Sequence, residues 1–166
     1  MNKEDKQSYV LSYLNLAYAY KGIRNYELSI KNIDEVLKLD PNNSLAYSYL
    51  ASDYFYLNKF DKMLESAKKS IELEPNYIGG YYNAGLACVK LLSYKEAVDY
   101  FKKVVELNPR YADAHYYLAI SYRTIGDNNS VQEECKKLRQ LNKDAWADYI
   151  LGIRRYRQSE GFPLGF

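Results

Sequence analysis

The chain has 166 residues and a mass of 19.4 kDa, which suits one ordinary domain that can bury a core. Its 23 basic and 21 acidic side chains leave a formal net charge of +2, which disfavours a nucleic-acid binder that relies on phosphate contacts. A single histidine excludes a multi-histidine metal site, and two cysteines are too few for a disulfide framework. The unusual feature is tyrosine, with 20 residues beside one tryptophan and 5 phenylalanines.

Residues 1–9 are predicted to form an N-terminal extension. They carry charges of both signs and are not followed by the apolar stretch that a secretory signal requires. No later run approaches the ~18 consecutive apolar residues of a transmembrane helix. A cytoplasmic protein is therefore expected, and the two unpaired cysteines, Cys88 and Cys135, agree with a reducing compartment.

Three prolines, Pro41, Pro75 and Pro109, recur at a spacing of 34 residues. Each follows a segment with apolar residues at helical spacing. Because proline lacks a backbone donor and keeps its predecessor out of the helical region, each is predicted to end a helix. The apolar positions are Ile30, Ile33, Val36 and Leu37, then Met63, Leu64, Ala67 and Ile71, then Ala97, Phe101, Val104 and Val105.

A second helical pattern recurs with the same period and starts before the first proline. In each copy four residues at positions i, i+3, i+4 and i+7 fall on one narrow helical face, with a small residue at the third place. The sets are Tyr13, Leu16, Ala17 and Tyr20; Tyr47, Leu50, Ala51 and Tyr54; Tyr81, Ala84, Gly85 and Cys88; and His115, Leu118, Ala119 and Tyr122. Small residues let helices approach closely, so this face is predicted to pack inside each repeat.

The 34-residue period, the constant phase of the helical faces and the recurring prolines together resemble the tetratricopeptide repeat family. The resemblance implies an all-α, right-handed superhelical solenoid of four helix-turn-helix repeats plus a C-terminal capping helix. The repeats are predicted at 10–43, 44–77, 78–111 and 112–145, the capping helix at 146–158 and a flexible tail at 159–166. Lys143 stands where a fourth proline would be expected, so the fourth repeat is the least typical.

In the family that this chain resembles, the first helices line a concave groove that binds peptides. The side of these helices away from the packed face is rich in tyrosine, which offers a large apolar plane and a hydroxyl at a small cost in side-chain entropy. The candidate groove residues are Asn15, Tyr18, Tyr49, Ser52, Tyr56, Tyr82, Asn83, Leu86, Tyr116, Tyr117 and Ile120.

Family members that grip a terminal carboxylate share a clamp. It consists of Lys and Asn four residues apart on one first helix, Asn on the next, and Lys and Arg on the third. The matching positions here hold Leu14 and Tyr18, then Tyr49, then Gly79 and Asn83. Starting one repeat later, they hold Ser48 and Ser52, then Asn83, then Asp113 and Tyr117, and only Asn83 fits. These positions offer no pair of cations to hold a carboxylate, so we do not expect a receptor for the terminal carboxylate of a peptide.

The predicted function is a non-catalytic protein–protein interaction module of the adaptor, scaffold or co-chaperone-like kind, with a protein or peptide as partner. No catalytic residue, cofactor or metal ligand is predicted; His115 is interpreted as a packed or hydrogen-bonded substitute for an aromatic residue. The alternative is a self-associating protein that uses the same surface as a homo-oligomer. RNA binding by stacked tyrosines and the arginines of 153–157 ranks lower, and no membrane partner is expected.

Overall fold

The computed structural model describes residues 3–152, and all regular structure in that range is helical. The helices are α1 Lys3–Gly22, α2 Tyr26–Leu39, α3 Ser44–Tyr56, α4 Phe60–Leu73, α5 Ile78–Lys90, α6 Tyr94–Leu107, α7 Ala112–Ile125, α8 Asn128–Gln140 and α9 Asp144–Leu151. The all-α helical-repeat fold is therefore confirmed. The end of the predicted capping helix and the predicted tail lie outside the described residues. No helix in the described range is long and apolar enough to cross a membrane.

The three prolines end helices as predicted. Helices α2, α4 and α6 end at Leu39, Leu73 and Leu107, two residues before Pro41, Pro75 and Pro109. At each end the residue after the helix donates its backbone N–H to the carbonyl four residues earlier. The proline then prevents a further turn because it has no N–H to donate.

The turn between the two helices of each pair contains one residue in the left-handed backbone region. These residues are Arg24 (φ 61°), Asn58 (φ 55°), Leu92 (φ 61°) and Gly126 (φ 85°). They follow one another at the same 34-residue interval as the prolines. Glycine adopts this conformation without strain, but in three of the four turns a residue with a side chain adopts it.

The chain divides into two compact units, one up to Ala87 and one from Cys88. The core of the first unit joins α1, α2 and α3 through Val10, Leu14, Ala17, Ile33, Val36, Ala46 and Leu50. Tyr13, Tyr47 and Tyr54 pack against it, as expected of residues on the predicted packed face. In the second unit the largest buried apolar side chains include Phe101, Leu118, Leu138, Trp146 and Ile150.

Helix α9 packs in the second unit against α7 and α8. Trp146 and Ile150 are buried, and the Arg123 guanidinium on α7 donates a 2.8 Å hydrogen bond to the carbonyl of Ile150. This contact satisfies a carbonyl at the C-terminal end of α9, where the helix has no backbone donor to offer.

One residue of the predicted packed face is not packed. Leu16 on α1 is 45% exposed, whereas its counterparts Leu50 on α3 and Leu118 on α7 are buried. The prediction for Leu16 is wrong because the counterparts face a preceding helix. Leu50 shares a core with Ile33 and Val36 of α2, and no helix within residues 3–152 takes that place beside α1.

Candidate peptide-binding surface

Helices α1 and α3 present tyrosines side by side on the first unit. Tyr18 is 68% exposed, Tyr56 is exposed and Tyr49 is half-buried. We call the surface formed by Asn15, Tyr18, Tyr49, Ser52 and Tyr56 the tyrosine face. Burial raises the pKa of Tyr49, and its neighbours Tyr77 and Tyr18 raise it further, so these two rings lie close to Tyr49. The surface therefore offers apolar planes and hydroxyl groups.

Tyr56 is held in place by its neighbours. Its ring stacks on Tyr26 of α2 with centroids 4.8 Å apart and an interplanar angle of 3°. The Lys21 ammonium lies 5.8 Å from the Tyr56 centroid and donates a hydrogen bond to the Ser52 hydroxyl. Such contacts order the ring before any ligand arrives, which lowers the entropy cost of binding.

A buried carboxyl lies beneath this part of the surface. Asp53 is fully buried, and neither of its carboxylate oxygens has a hydrogen-bond partner in the described part of the chain. Burial raises its pKa, although Ser29 and Lys21 lie near enough to oppose the rise. Burial likewise lowers the pKa of Lys21, and the nearby Asp53 opposes that shift. Burial thus favours the neutral form of Asp53 and of Lys21 more strongly than water does for the same free side chains.

Helix α5 contributes less than predicted. The Asn83 side chain donates hydrogen bonds to the Ser48 carbonyl at 3.0 Å and to the Ser48 hydroxyl at 3.2 Å. Its amide nitrogen is therefore used between α5 and α3. Leu86 is buried, and Tyr82 is half-buried. The expectation that Leu86 stands on an open face is wrong.

A cleft of about 580 Å³ adjoins the tyrosine face at the N-terminal half of α1. Its walls include apolar residues of α1 and α3, among them Leu11, Leu14 and Leu45, and its rim includes Lys6 and Asp40. Leu11 is exposed and lies one helical turn before Asn15, so cleft and tyrosine face share one side of α1. The volume suits one or two apolar side chains of a bound chain.

The second unit does not carry the predicted groove residues on its surface. Tyr116 and Tyr117 are 0% and 1% exposed, and Ile120 is also buried. The Tyr117 ring stacks on Phe101 of α6 at 5.3 Å, and the Tyr116 ring meets Trp146 of α9 edge-on at 5.7 Å. Burial raises the pKa of both phenols strongly. The prediction that these three residues line an open groove is wrong, because helices α6 and α9 supply aromatic partners for the two tyrosines.

His115 is a hydrogen-bonded aromatic substitute, as predicted. It is buried, with Nδ1 2.5 Å from a Glu134 carboxylate oxygen and Nε2 2.9 Å from the Pro109 carbonyl oxygen. The second Glu134 oxygen accepts a hydrogen bond from Lys137 at 2.8 Å. Burial favours a higher pKa for Glu134, but the hydrogen bonds from His115 and Lys137 prevail and lower it.

The two cysteines are buried as predicted, and burial raises the pKa of the Cys135 thiol to about 11. Residues 3–152 contain no cluster of His, Cys, Asp or Glu side chains that could hold a metal ion.

Sequence reasoning missed Lys21 and Tyr77 as members of the surface. Lys21 lies three residues after Tyr18, which places both on one side of α1, so helical spacing was an available signal. Tyr77 precedes α5, and its closeness to Tyr49 depends on how the chain turns after Pro75. No local pattern reveals that approach.

Three family models, each described as a tetratricopeptide repeat, match residues 10–43, 79–111 and 100–134. Together they span more than half of the chain. A search of curated proteins found no match.

Several solved structures share the fold. MamA 41-end from Desulfovibrio magneticus RS-1 is 20% identical, with a TM-score of 0.74 over 81% of this chain and 76% of that one. The thermophilic TPR protein TTC0263 of Thermus thermophilus is 21% identical, with a TM-score of 0.72 over 87% and 84%. The first TPR of Spaghetti (RPAP3), bound to the HSP90 peptide SRMEEVD, is 24% identical, with a TM-score of 0.70 over 72% and 97%.

The fold and the repeat matches define an all-α helical-repeat protein of the kind that generally serves as a non-catalytic scaffold for protein interactions. The chain belongs to the tetratricopeptide repeat family.

Proposed function

We propose that this protein is an interaction module that binds a peptide segment on the first unit, along the tyrosine face and into the adjoining cleft. The observation that carries the proposal is the side-by-side display of Tyr18, Tyr49 and Tyr56 on α1 and α3, one of them 68% exposed and another fixed by stacking. Contiguous exposed aromatic surface on a soluble domain typically marks a contact site. A cytoplasmic location stays a prediction.

The chemistry of the surface favours a peptide with apolar anchors. An apolar side chain would enter the cleft between Leu11 and Leu45, while the chain beyond it lies on the rings of Tyr18 and Tyr49. The exposed Asn15 amide offers a donor and an acceptor to the peptide backbone. Binding energy would come mainly from burial of the aromatic planes, with the hydroxyls fixing orientation.

A terminal-carboxylate ligand is not expected. The RPAP3 domain shares the fold and binds the peptide SRMEEVD. Here the positions that would form the carboxylate clamp include Leu14, Tyr18 and Tyr49, none of which carries a positive charge. Lys21, a nearby cation, is already bonded to Ser52. The peptide SRMEEVD is therefore a useful negative control.

A random peptide library displayed on phage would test the proposal. The immobilised wild-type chain should enrich sequences with spaced aliphatic or aromatic residues. A triple variant with Leu11→Ala, Tyr18→Ala and Tyr49→Ala should bind a synthetic copy of the best sequence at least about tenfold more weakly, since three partly exposed contacts are removed. Helicity by circular dichroism should be unchanged.

Tyr149→Ala is the matched control, because Tyr149 is an exposed tyrosine on α9 in the other unit. Its affinity for the selected peptide should equal that of the wild type. Equal affinity in the triple variant, or a loss of affinity in Tyr149→Ala alone, would place the peptide elsewhere and refute the proposal.

A further inference from the structure

Helix α1 carries a second exposed stripe, on the side away from the tyrosine face. It consists of Tyr9, Ser12, Leu16 and Ala19 on the helix and of Ile23 directly after its end, all of which are exposed. At 100° per residue, Leu16 and Tyr18 point about 160° apart around the helix. The two surfaces of α1 are therefore separate, and the stripe is independent of the proposed peptide site.

The three central positions of the stripe, Ser12, Leu16 and Ala19, correspond to buried residues in the other first helices. These counterparts follow at intervals of 34 residues. They are Ala46, Leu50 and Asp53 on α3, Gly80, Ala84 and Ala87 on α5, and Ala114, Leu118 and Ser121 on α7. The centre of this face is thus buried on α3, α5 and α7 and exposed on α1.

What buries those faces is a helix. Ala46 and Leu50 share a core with Ile33 and Val36 of α2. Gly80 of α5 approaches α4 so closely that an added Cβ would lie 2.9 Å from the Ile71 side chain. The face of α1 carries Leu16 between the small residues Ser12 and Ala19, and no helix in the described range covers it.

We propose that this stripe is a self-association surface on which α1 of a second copy packs antiparallel. The residues follow the 3,4-spacing of a two-helix seam, with large Tyr9, Leu16 and Ile23 alternating with small Ser12 and Ala19. A seam of this kind is self-complementary about Leu16, because a two-fold axis there packs the two Leu16 side chains together and places the small Ser12 of one helix beside the small Ala19 of the other. A two-fold axis through Leu16 would bring Tyr9 of one copy beside Ile23 of the other.

The charged residues near the two ends of the stripe favour antiparallel packing. Asp5 continues the stripe toward the N-terminus, and the exposed Arg24 follows the C-terminal end of α1. With Leu16 on the axis, Asp5 lies about 16 Å from the centre and Arg24 about 12 Å, a difference that an arginine side chain spans. Parallel packing would instead place Asp5 beside Asp5 and align the two helix dipoles unfavourably. A closed two-fold pair also leaves no further stripe exposed.

Sedimentation across concentrations would test the proposal. The wild type should show a reversible monomer–dimer equilibrium. Leu16→Asp should raise the dissociation constant at least about tenfold, because it places a charge in the apolar seam. Tyr18→Asp is the matched control on the opposite side of α1 and should dimerise normally. Circular dichroism should show both variants folded, since Leu16 is 45% and Tyr18 68% exposed.

Cysteine cross-linking tests the direction of packing. Leu16→Cys should form a disulfide-linked dimer on mild oxidation, while Tyr18→Cys should not; the native Cys88 and Cys135 are buried and stay reduced. A mixture of Tyr9→Cys and Ile23→Cys should cross-link to each other and not to themselves. A monomer up to about 1 mM, a dimer that Tyr18→Asp disrupts but Leu16→Asp does not, or Tyr9→Cys linked to itself would each overturn the proposal.

Discussion

Tyr81 and His115 occupy the same position of successive repeats and hydrogen-bond the same backbone group. The Tyr81 hydroxyl donates to the Pro75 carbonyl oxygen at 2.9 Å, and His115 Nε2 lies 2.9 Å from the Pro109 carbonyl oxygen, in both cases six residues earlier. Histidine adds a second bond through Nδ1 to the Glu134 carboxylate. The imidazole ring thus contacts oxygen atoms through both of its nitrogens.

The coupling of His115 and Glu134 can be measured with a double-mutant cycle. His115→Tyr keeps a donor for Pro109 but leaves Glu134 buried beside Lys137 alone, and it should lower the free energy of unfolding by about 3 kcal/mol. The double variant His115→Tyr, Glu134→Ser reproduces the pair Tyr47 and Ser66 of an earlier repeat and should recover most of that loss. Urea denaturation measures the free energy of unfolding of the single and the double variants. If the effects of the two substitutions simply added, the two residues would not be coupled.

The same pair predicts an acid dependence. The pKa of Glu134 is lower in the folded protein than in the unfolded chain, so its contribution is present above the unfolded value of about 4.3 and is lost as pH falls through the folded value. In urea titrations from pH 7 to pH 3, Glu134→Gln should lose less stability than the wild type. A parallel decline in both proteins would show that Glu134 is not responsible.

Asp53→Ala should stabilise the protein. The buried Asp53 carboxyl has unpartnered oxygens, and the corresponding residues on α1 and α5 are Ala19 and Ala87. We expect a gain of about 1–3 kcal/mol at pH 7, the usual cost of an unsatisfied buried polar group. The pKa of Asp53 is raised, so its contribution to stability is full below the unfolded value of about 3.9 and is lost as pH rises through the folded value.

The advantage of Asp53→Ala over the wild type should therefore grow between pH 4 and pH 7, as measured by thermal unfolding. Asp53→Asn is the control, because it removes the charge and keeps the volume. If Asp53→Ala were less stable than the wild type at pH 7, attraction between Asp53 and Lys21 would outweigh the cost of burial.

Leu92→Gly should also stabilise the protein. Leu92 is exposed with φ 61°, so the substitution relieves backbone strain and removes little packing. Glycine also raises the entropy of the unfolded chain, which opposes this gain. We expect a net increase of about 0.5–1 kcal/mol in the free energy of unfolding. Gly126→Ala is the reciprocal control: an added Cβ meets nothing within 4 Å, so a loss of stability reports strain at φ 85° that exceeds the gain from a less flexible unfolded chain. Equal stability of all three proteins would contradict the strain argument.

Tyr117 and Tyr18 should respond oppositely to truncation. Tyr117→Ala removes a buried ring stacked on Phe101 and should cost about 3–5 kcal/mol of stability. Tyr18→Ala should change stability by less than about 0.5 kcal/mol, because the ring is mostly exposed. Guanidinium denaturation of the two variants would decide; a tolerated Tyr117→Ala would restore that residue as a surface candidate.

Helix ends and repeat phase were predictable because they depend on local chemistry. A proline acts on its own turn, so Pro41, Pro75 and Pro109 mark helix ends without knowledge of the fold. The burial of Tyr116 and Tyr117 was not predictable, since it depends on partners such as Trp146 and Phe101, the former distant in sequence. Periodicity distinguishes one side of a helix from the other, but it does not reveal which neighbouring helix covers that side.

The left-handed turn residues recur at a regular interval, and this regularity limits where the chain can gain or lose residues. One residue inserted within a helix would rotate every later position of that helix by about 100° and bring core residues such as Leu50 into water. Insertions and deletions should therefore survive mainly in the short turns around Arg24, Asn58 and Leu92, where the backbone can absorb them. Length variation among natural versions of this chain is expected to concentrate there.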